Sequence, residues 1–99
     1  MGSNNILENL EFSQDNPLKT MIAQYDQFTT FRIALGKGLV VPPHQGDHSA
    51  FFLILKGKGV FTRNEEEFEL GPNQFIQIGK NDTRGIQAVE DLVILAVRD

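Results

Sequence analysis

Gly38-Leu39-Val40-Val41-Pro42-Pro43-His44-Gln45-Gly46-Asp47-His48-Ser49-Ala50-Phe51-Phe52-Leu53-Ile54-Leu55-Lys56-Gly57-Lys58-Gly59 decides the reading of this chain. Its second half is an apolar run followed by Lys56-Gly57-Lys58-Gly59, a strand and then the glycines a tight turn requires. Its first half holds both histidines of the protein. Moving outward, short segments rich in β-branched and aromatic residues recur, and each predicts a strand: Thr20 to Tyr25, Phe28 to Leu35, Ser49 to Leu55, Val60 to Arg63, Glu67 to Leu70, Gln74 to Ile78, Arg84 to Val89 and Leu92 to Val97. Gly36-Lys37-Gly38, Gly71-Pro72-Asn73 and Gly79-Lys80-Asn81-Asp82 supply further turns. Asn5-Ile6-Leu7-Glu8 is the one helix candidate, with Ile6, Leu7 and Leu10 on one face ahead of the Asp15-Asn16-Pro17 turn signal. The expectation is an all-β domain of eight closely spaced antiparallel strands over residues 18–99. A short helical or irregular segment over residues 1–17 precedes it.

Composition supports one small domain. Leu, Ile, Val and Phe number 10, 8, 6 and 8 among 99 residues, well above the level at which a chain fails to collapse. The formal charge is -4, from 9 basic and 13 acidic residues without a basic stripe, so a nucleic-acid partner is not expected. No cysteine is present, which excludes disulfides and thiolate metal sites and leaves only nitrogen and oxygen ligands for any metal. Ala50 to Leu55, a purely apolar stretch as long as any in the chain, falls far short of the roughly 20 residues a membrane helix needs. Met1 to Asn5 carry no basic cluster, and Ile6 stands where N-myristoylation at Gly2 would need Ser or Thr. A cytoplasmic protein without a membrane partner is expected.

Two segments, Phe51 to Leu55 and Leu92 to Val97, are apolar at both parities. A half-exposed strand alternates, so both are expected to be covered on two faces, by the opposite sheet and by a second subunit in a homodimer. The run Glu65-Glu66-Glu67 reads as the solvated tip of a hairpin.

The quoted stretch resembles the first motif of the cupin family, in which a glycine, two closely spaced histidines, a glutamate and a second glycine follow at set intervals. Gly38, His44 and Gly57 fit that frame, and the paired prolines and the Lys-Gly-Lys-Gly turn are similar too. Leu70-Gly71 through Arg84-Gly85 echoes the family's second motif, so the resemblance covers roughly Phe28 to Val97. It implies a jelly-roll β-barrel. It also implies a metal centre, but Gly46 and Ala50 fall on the family's second histidine and glutamate, and Arg84 falls on the second-motif histidine.

Two functional readings follow. Equal parity along an extended segment turns His44, Gly46, His48, Ala50, Phe52 and Ile54 into the barrel and turns Asp47 away. Losing a glutamate and gaining an arginine shifts the pocket toward positive charge. His44, His48, Arg84 and Phe52 then read as binding residues for a small polar or anionic ligand, with Ile54, Ile76, Ile78 and Ile86 as further apolar walls. Alternatively, His44 and His48 hold a divalent metal (Fe, Mn, Ni or Zn) in an oxygenase or isomerase type of enzyme, as the resemblance implies, with a third ligand yet to be found. More ordinary roles stand beside both: Arg84 capping the Gly79 to Thr83 turn, the histidines as surface groups, and Phe52 with the isoleucines as core. A structural or regulatory dimer with a solid barrel would satisfy all of these.

Overall fold

Alternation of side chains along nine strands builds two antiparallel sheets whose apolar faces meet. The computed structural model describes residues 4–99, so the Gly2 reading lies outside the described residues. The strands are β1 (Leu18–Gln24), β2 (Thr29–Leu35), β3 (Val40–Gln45), β4 (Ala50–Lys56), β5 (Gly59–Arg63), β6 (Glu66–Leu70), β7 (Phe75–Ile78), β8 (Thr83–Ala88) and β9 (Leu92–Arg98). One sheet has the order β1-β2-β9-β4-β7 and the other β3-β8-β5-β6, which together form a jelly-roll barrel. Among the described residues no helix is long and apolar enough to cross a membrane.

Nine strands form where the sequence predicts eight. The additional one, β3, carries Pro42 and Pro43, which have no backbone N–H and so disfavour a strand reading. It is tolerated because β3 lies at the edge of its sheet, and the register shifts between Val41↔Ile86 and His44↔Arg84 to accommodate the prolines. The predicted N-terminal helix is a single turn. Asn5 does cap it, accepting the Leu7 N–H at 2.9 Å, but Asn9 at φ 54° turns the chain away. The acidic run is also divided. Asn64, at φ 57°, and Glu65 form the hairpin turn, while Glu66 and Glu67 already pair with Arg63 and Thr62.

The inner face of β2 presents Phe31, Ile33 and Leu35, and that of β9 presents Ile94 and Leu92 beside them. Leu35, Ile54, Phe61, Leu92 and Ile94 are fully buried and fill one half of the barrel. Each such side chain contributes about 1.5 to 3 kcal/mol. Gly57 closes the β4–β5 turn at φ 83°, and a Cβ there would collide with the Asp91 carbonyl, so no larger residue fits.

The outer face of β2 and β9 is covered in part by the chain's own N-terminal segment. Ala34 and Val93 pair across these strands and are buried on the side away from the core. Beside them Arg32 donates to the carbonyls of Ile6 and Glu8 at 3.0 and 2.8 Å, and Gly36 N–H donates to Ser13 O at 2.8 Å. A second subunit is therefore not what covers Val93. Phe51, Leu53, Leu95 and Val97 on the same outer face stay half-buried, and Phe75 is 61% exposed.

Arg32→Met removes both carbonyl contacts while keeping most of the aliphatic packing. The variant is expected to lose about 1 to 3 kcal/mol of stability and to expose residues 5–14 to faster amide exchange. Unchanged exchange there would show that the segment is held by other means.

Candidate functional site

The half of the barrel not filled by the core holds a cavity of about 400 Å³. Phe31, Ile33 and Leu35 of β2, Val41 of β3, Phe52 of β4, Ile86 of β8 and Ala96 of β9 form its apolar walls. Small residues leave the room: Ala50 and Ala96 both line it. The volume lies within the range of pockets that take a small organic molecule.

All four residues expected at a ligand site line this one cavity, namely His44, His48, Phe52 and Arg84. His44 and Arg84 are brought together because they are direct cross-strand partners of β3 and β8. The segment from His44 to Ile54 is not one extended strand, however. β3 and β4 belong to different sheets, and residues 46–49 form the loop between them. Strand parity therefore does not govern the loop, and Asp47 lines the cavity as well. Of the expected isoleucine walls only Ile86 lines it. Ile54, Ile76 and Ile78 are 0, 6 and 3% exposed and belong to the solid core instead.

Arg84 organises the open end. Its guanidinium makes five hydrogen bonds to four carbonyls: His48 O at 2.7 Å, Gly79 O at 2.9 Å, Lys80 O at 3.3 Å, and Asp82 O at 3.2 and 3.3 Å. These tie the 46–49 loop to the turn between β7 and β8. The planar fork expected to grip an anion is thus occupied by backbone oxygens, whereas its charge remains, because carbonyls are neutral partners. Gly46 sits against this side chain, and a Cβ there would lie 2.8 Å from Arg84 Cζ.

The β7–β8 turn has its own support. Asp82 accepts from Gly79 N–H at 2.7 Å and from the Asn64 amide at 3.0 Å, while Asn64 Oδ1 accepts from Thr83 N–H at 3.0 Å. The Asn64 amide, followed by the Gly79 N–H, holds the Asp82 carboxyl below its usual range, and Arg63 and Arg84 add to this by their charge. On the other loop, Asp99 Oδ1 accepts from Ser49 N–H at 3.0 Å and lies 3.7 Å from His48 Nδ1. His44 Nδ1 is 3.1 Å from Pro42 O.

A divalent metal does not fit this donor set. Catalytic centres usually take three protein ligands, and among the described residues no three of His, Cys, Asp and Glu gather to hold one. Across from His44 stands a guanidinium, which cannot deprotonate to become a ligand.

Two cavity cations escaped the sequence reading, Lys19 and Arg98. Arg98 continues the inward series Leu92, Ile94, Ala96 of β9, one residue beyond the predicted end of that strand. Its guanidinium lies over the Phe31 ring, 5.4 Å from the centroid. Extending the period-2 pattern by one residue would have found it. Lys19 carries no such signal, since its placement depends on the pairing of β1 with Ile33 of β2.

The model of the Cupin domain family matches residues 31–98. The crystal structure of a conserved protein of unknown function from Streptococcus pyogenes is similar at 22% identity and a TM-score of 0.84, over 98% of this chain and 85% of that one. An RmlC-like cupin protein from Desulfovibrio desulfuricans is similar at 19% identity and 0.85, over 99% and 95%. A protein from Thermus thermophilus is similar at 18% identity and 0.86, over 99% and 96%. No curated protein sequence matches.

Arg84→Gln is expected to reduce amide protection in both tied segments, residues 46–49 and 79–83, and to lower stability by about 1 to 3 kcal/mol. Gly46→Ala should loosen only the first. Hydrogen exchange that stays unchanged in both segments of the arginine variant would refute the clamp.

Proposed function

The chain belongs to the cupin domain family, and on that premise we propose that its barrel binds a small anionic organic molecule. The observation that carries this reading is the charge of the cavity. Lys19, Arg84 and Arg98 line it, Asp47 is the one acid there, and none of the three cations forms an ion pair among the described residues. Permanent cations on the wall of a largely apolar cavity raise the local concentration of anions and favour one that leaves water. His44 and His48 stand at the same open end as additional hydrogen-bonding groups. A purely structural role would be better served by a barrel packed solid. A metal-dependent enzyme would need a third ligand.

The reading is tested by calorimetry with a panel of anions, including acetate, benzoate and phosphate, each compared with a neutral analogue such as acetamide or benzamide. Anions are expected to bind more tightly than their neutral partners and to weaken as salt rises. Arg98→Gln should cost roughly 1.5 to 3 kcal/mol of anion affinity through a lost charged hydrogen bond. Equal binding of benzoate and benzamide would overturn the proposal. Elemental analysis of protein purified without added metal or chelator is expected to give metal far below one per chain. Near-stoichiometric metal lost on His44→Ala would favour the enzyme reading instead.

We propose further that two copies associate through the outer face of the β1-β2-β9-β4-β7 sheet. Phe51, Leu53, Leu95, Val97 and the exposed Phe75 form a contiguous apolar surface there, in register across β7, β4 and β9. The protein is expected to sediment as a dimer at micromolar concentration and Phe75→Lys as a weaker one. A native monomer under these conditions removes the proposal.

A further inference from the structure

Resting on the anion reading, the geometry points to the chemical class of the ligand: a monocarboxylate whose body is apolar, aryl or branched alkyl, seated with its carboxylate on Arg98 and its body directed toward Leu35. The cavity is graded along its length. On β2 the inward residues pass from Leu35, which is fully buried, through Ile33 at 8% exposed to half-buried Phe31. On the neighbouring β9 they pass from buried Ala96 to partly exposed Arg98. The charged and polar groups His44, Asp47 and His48 are exposed at the open end. Lys19 flanks Ile33 from the edge strand β1, and apart from it the lining around Leu35, Ile33 and Ala96 is apolar.

Arg98 is the cation with donors to offer. Arg84 has committed its guanidinium to four carbonyls, whereas among the described residues Arg98 makes one hydrogen bond, at 3.5 Å, to the main-chain oxygen of Asp99. The Phe31 ring lies 5.4 Å from its guanidinium carbon, a contact that holds the side chain without using its N–H donors. Directly across from Arg98 on β4 stands Ala50, whose methyl group leaves the space beside the guanidinium open. A planar carboxylate matches that fork bidentately. A small hydrated anion could use the same fork but would leave the apolar end unfilled. A ligand with one charged end and an apolar body satisfies both ends of the cavity at once, and burial of its body adds affinity in proportion to the apolar area covered.

The experiment measures the affinities of 3-phenylpropanoate, acetate, inorganic phosphate and 3-phenylpropanamide for the native protein by calorimetry. 3-Phenylpropanoate is expected to bind at least about tenfold more tightly than acetate or phosphate. If acetate or phosphate binds as tightly, the inference about the apolar body is overturned while the anion reading stands. If the amide binds as tightly as the acid, the anion reading itself fails and takes this inference with it. Ala96→Leu, which fills the space between Phe31 and Phe52 that the apolar body would cross, is expected to weaken 3-phenylpropanoate at least about tenfold and to leave acetate unchanged. Because this variant alters the core, its fold is checked by thermal unfolding, and the ligand series on the native protein decides the matter independently. A folded variant with undiminished affinity for 3-phenylpropanoate would overturn the proposed orientation.

Discussion

The barrel interior is not filled uniformly, because bulky inward residues meet across one half while small ones interrupt them in the other. Leu35, Ile54, Phe61, Leu92 and Ile94 interlock where they meet and exclude solvent completely. Ala50 and Ala96 at the other end are too short to reach across, so about 400 Å³ stays open. The same alternation therefore makes both the core and the cavity. The stability gained in the packed half supports an unfilled half, whose lining forgoes the dispersion contacts of a solid core.

An open end with charges in it needs its loops held, and Arg84 does this with a single side chain. It joins two loops that have no backbone ladder between them, and it needs no carboxylate to do so. The sequence resemblance sets this residue against a histidine of the second cupin motif. A guanidinium there supplies a permanent positive charge together with five directed donors, so local order is achieved by hydrogen bonds to carbonyls. The cavity consequently keeps its positive character, to which Lys19 and Arg98 add.

The outer surface follows a related logic. Apolar residues at both parities of β4 and β9 indicated cover on two sides, and part of that cover is the chain's own N-terminal segment, fastened by Arg32. A sequence pattern reports that a face is apolar but cannot distinguish an intramolecular cover from an intermolecular one, since both bury the same atoms. Val93 shows the first kind. Phe75 remains exposed in the single chain.

Strand content and the turn at Gly57 were legible from local chemistry: β-branched runs, and glycine where φ is positive. That His44, His48, Phe52 and Arg84 line one cavity was expected from the resemblance to the cupin motifs together with a strand parity that does not govern the 46–49 loop. β3 was not, because two prolines contradict a strand unless it lies at an edge, and edge position is a property of the assembled sheet. Nor was the partition of inward residues between wall and core, since Ile54 and Phe52 share a parity and differ only in depth. The sequence by itself determined which residues share a face along each strand, for side-chain alternation is a local property of extended backbone. Only the tertiary structure decided that Arg84 binds carbonyls while Arg98 and Lys19 face the cavity, because those partners come from strands and loops far apart in the chain.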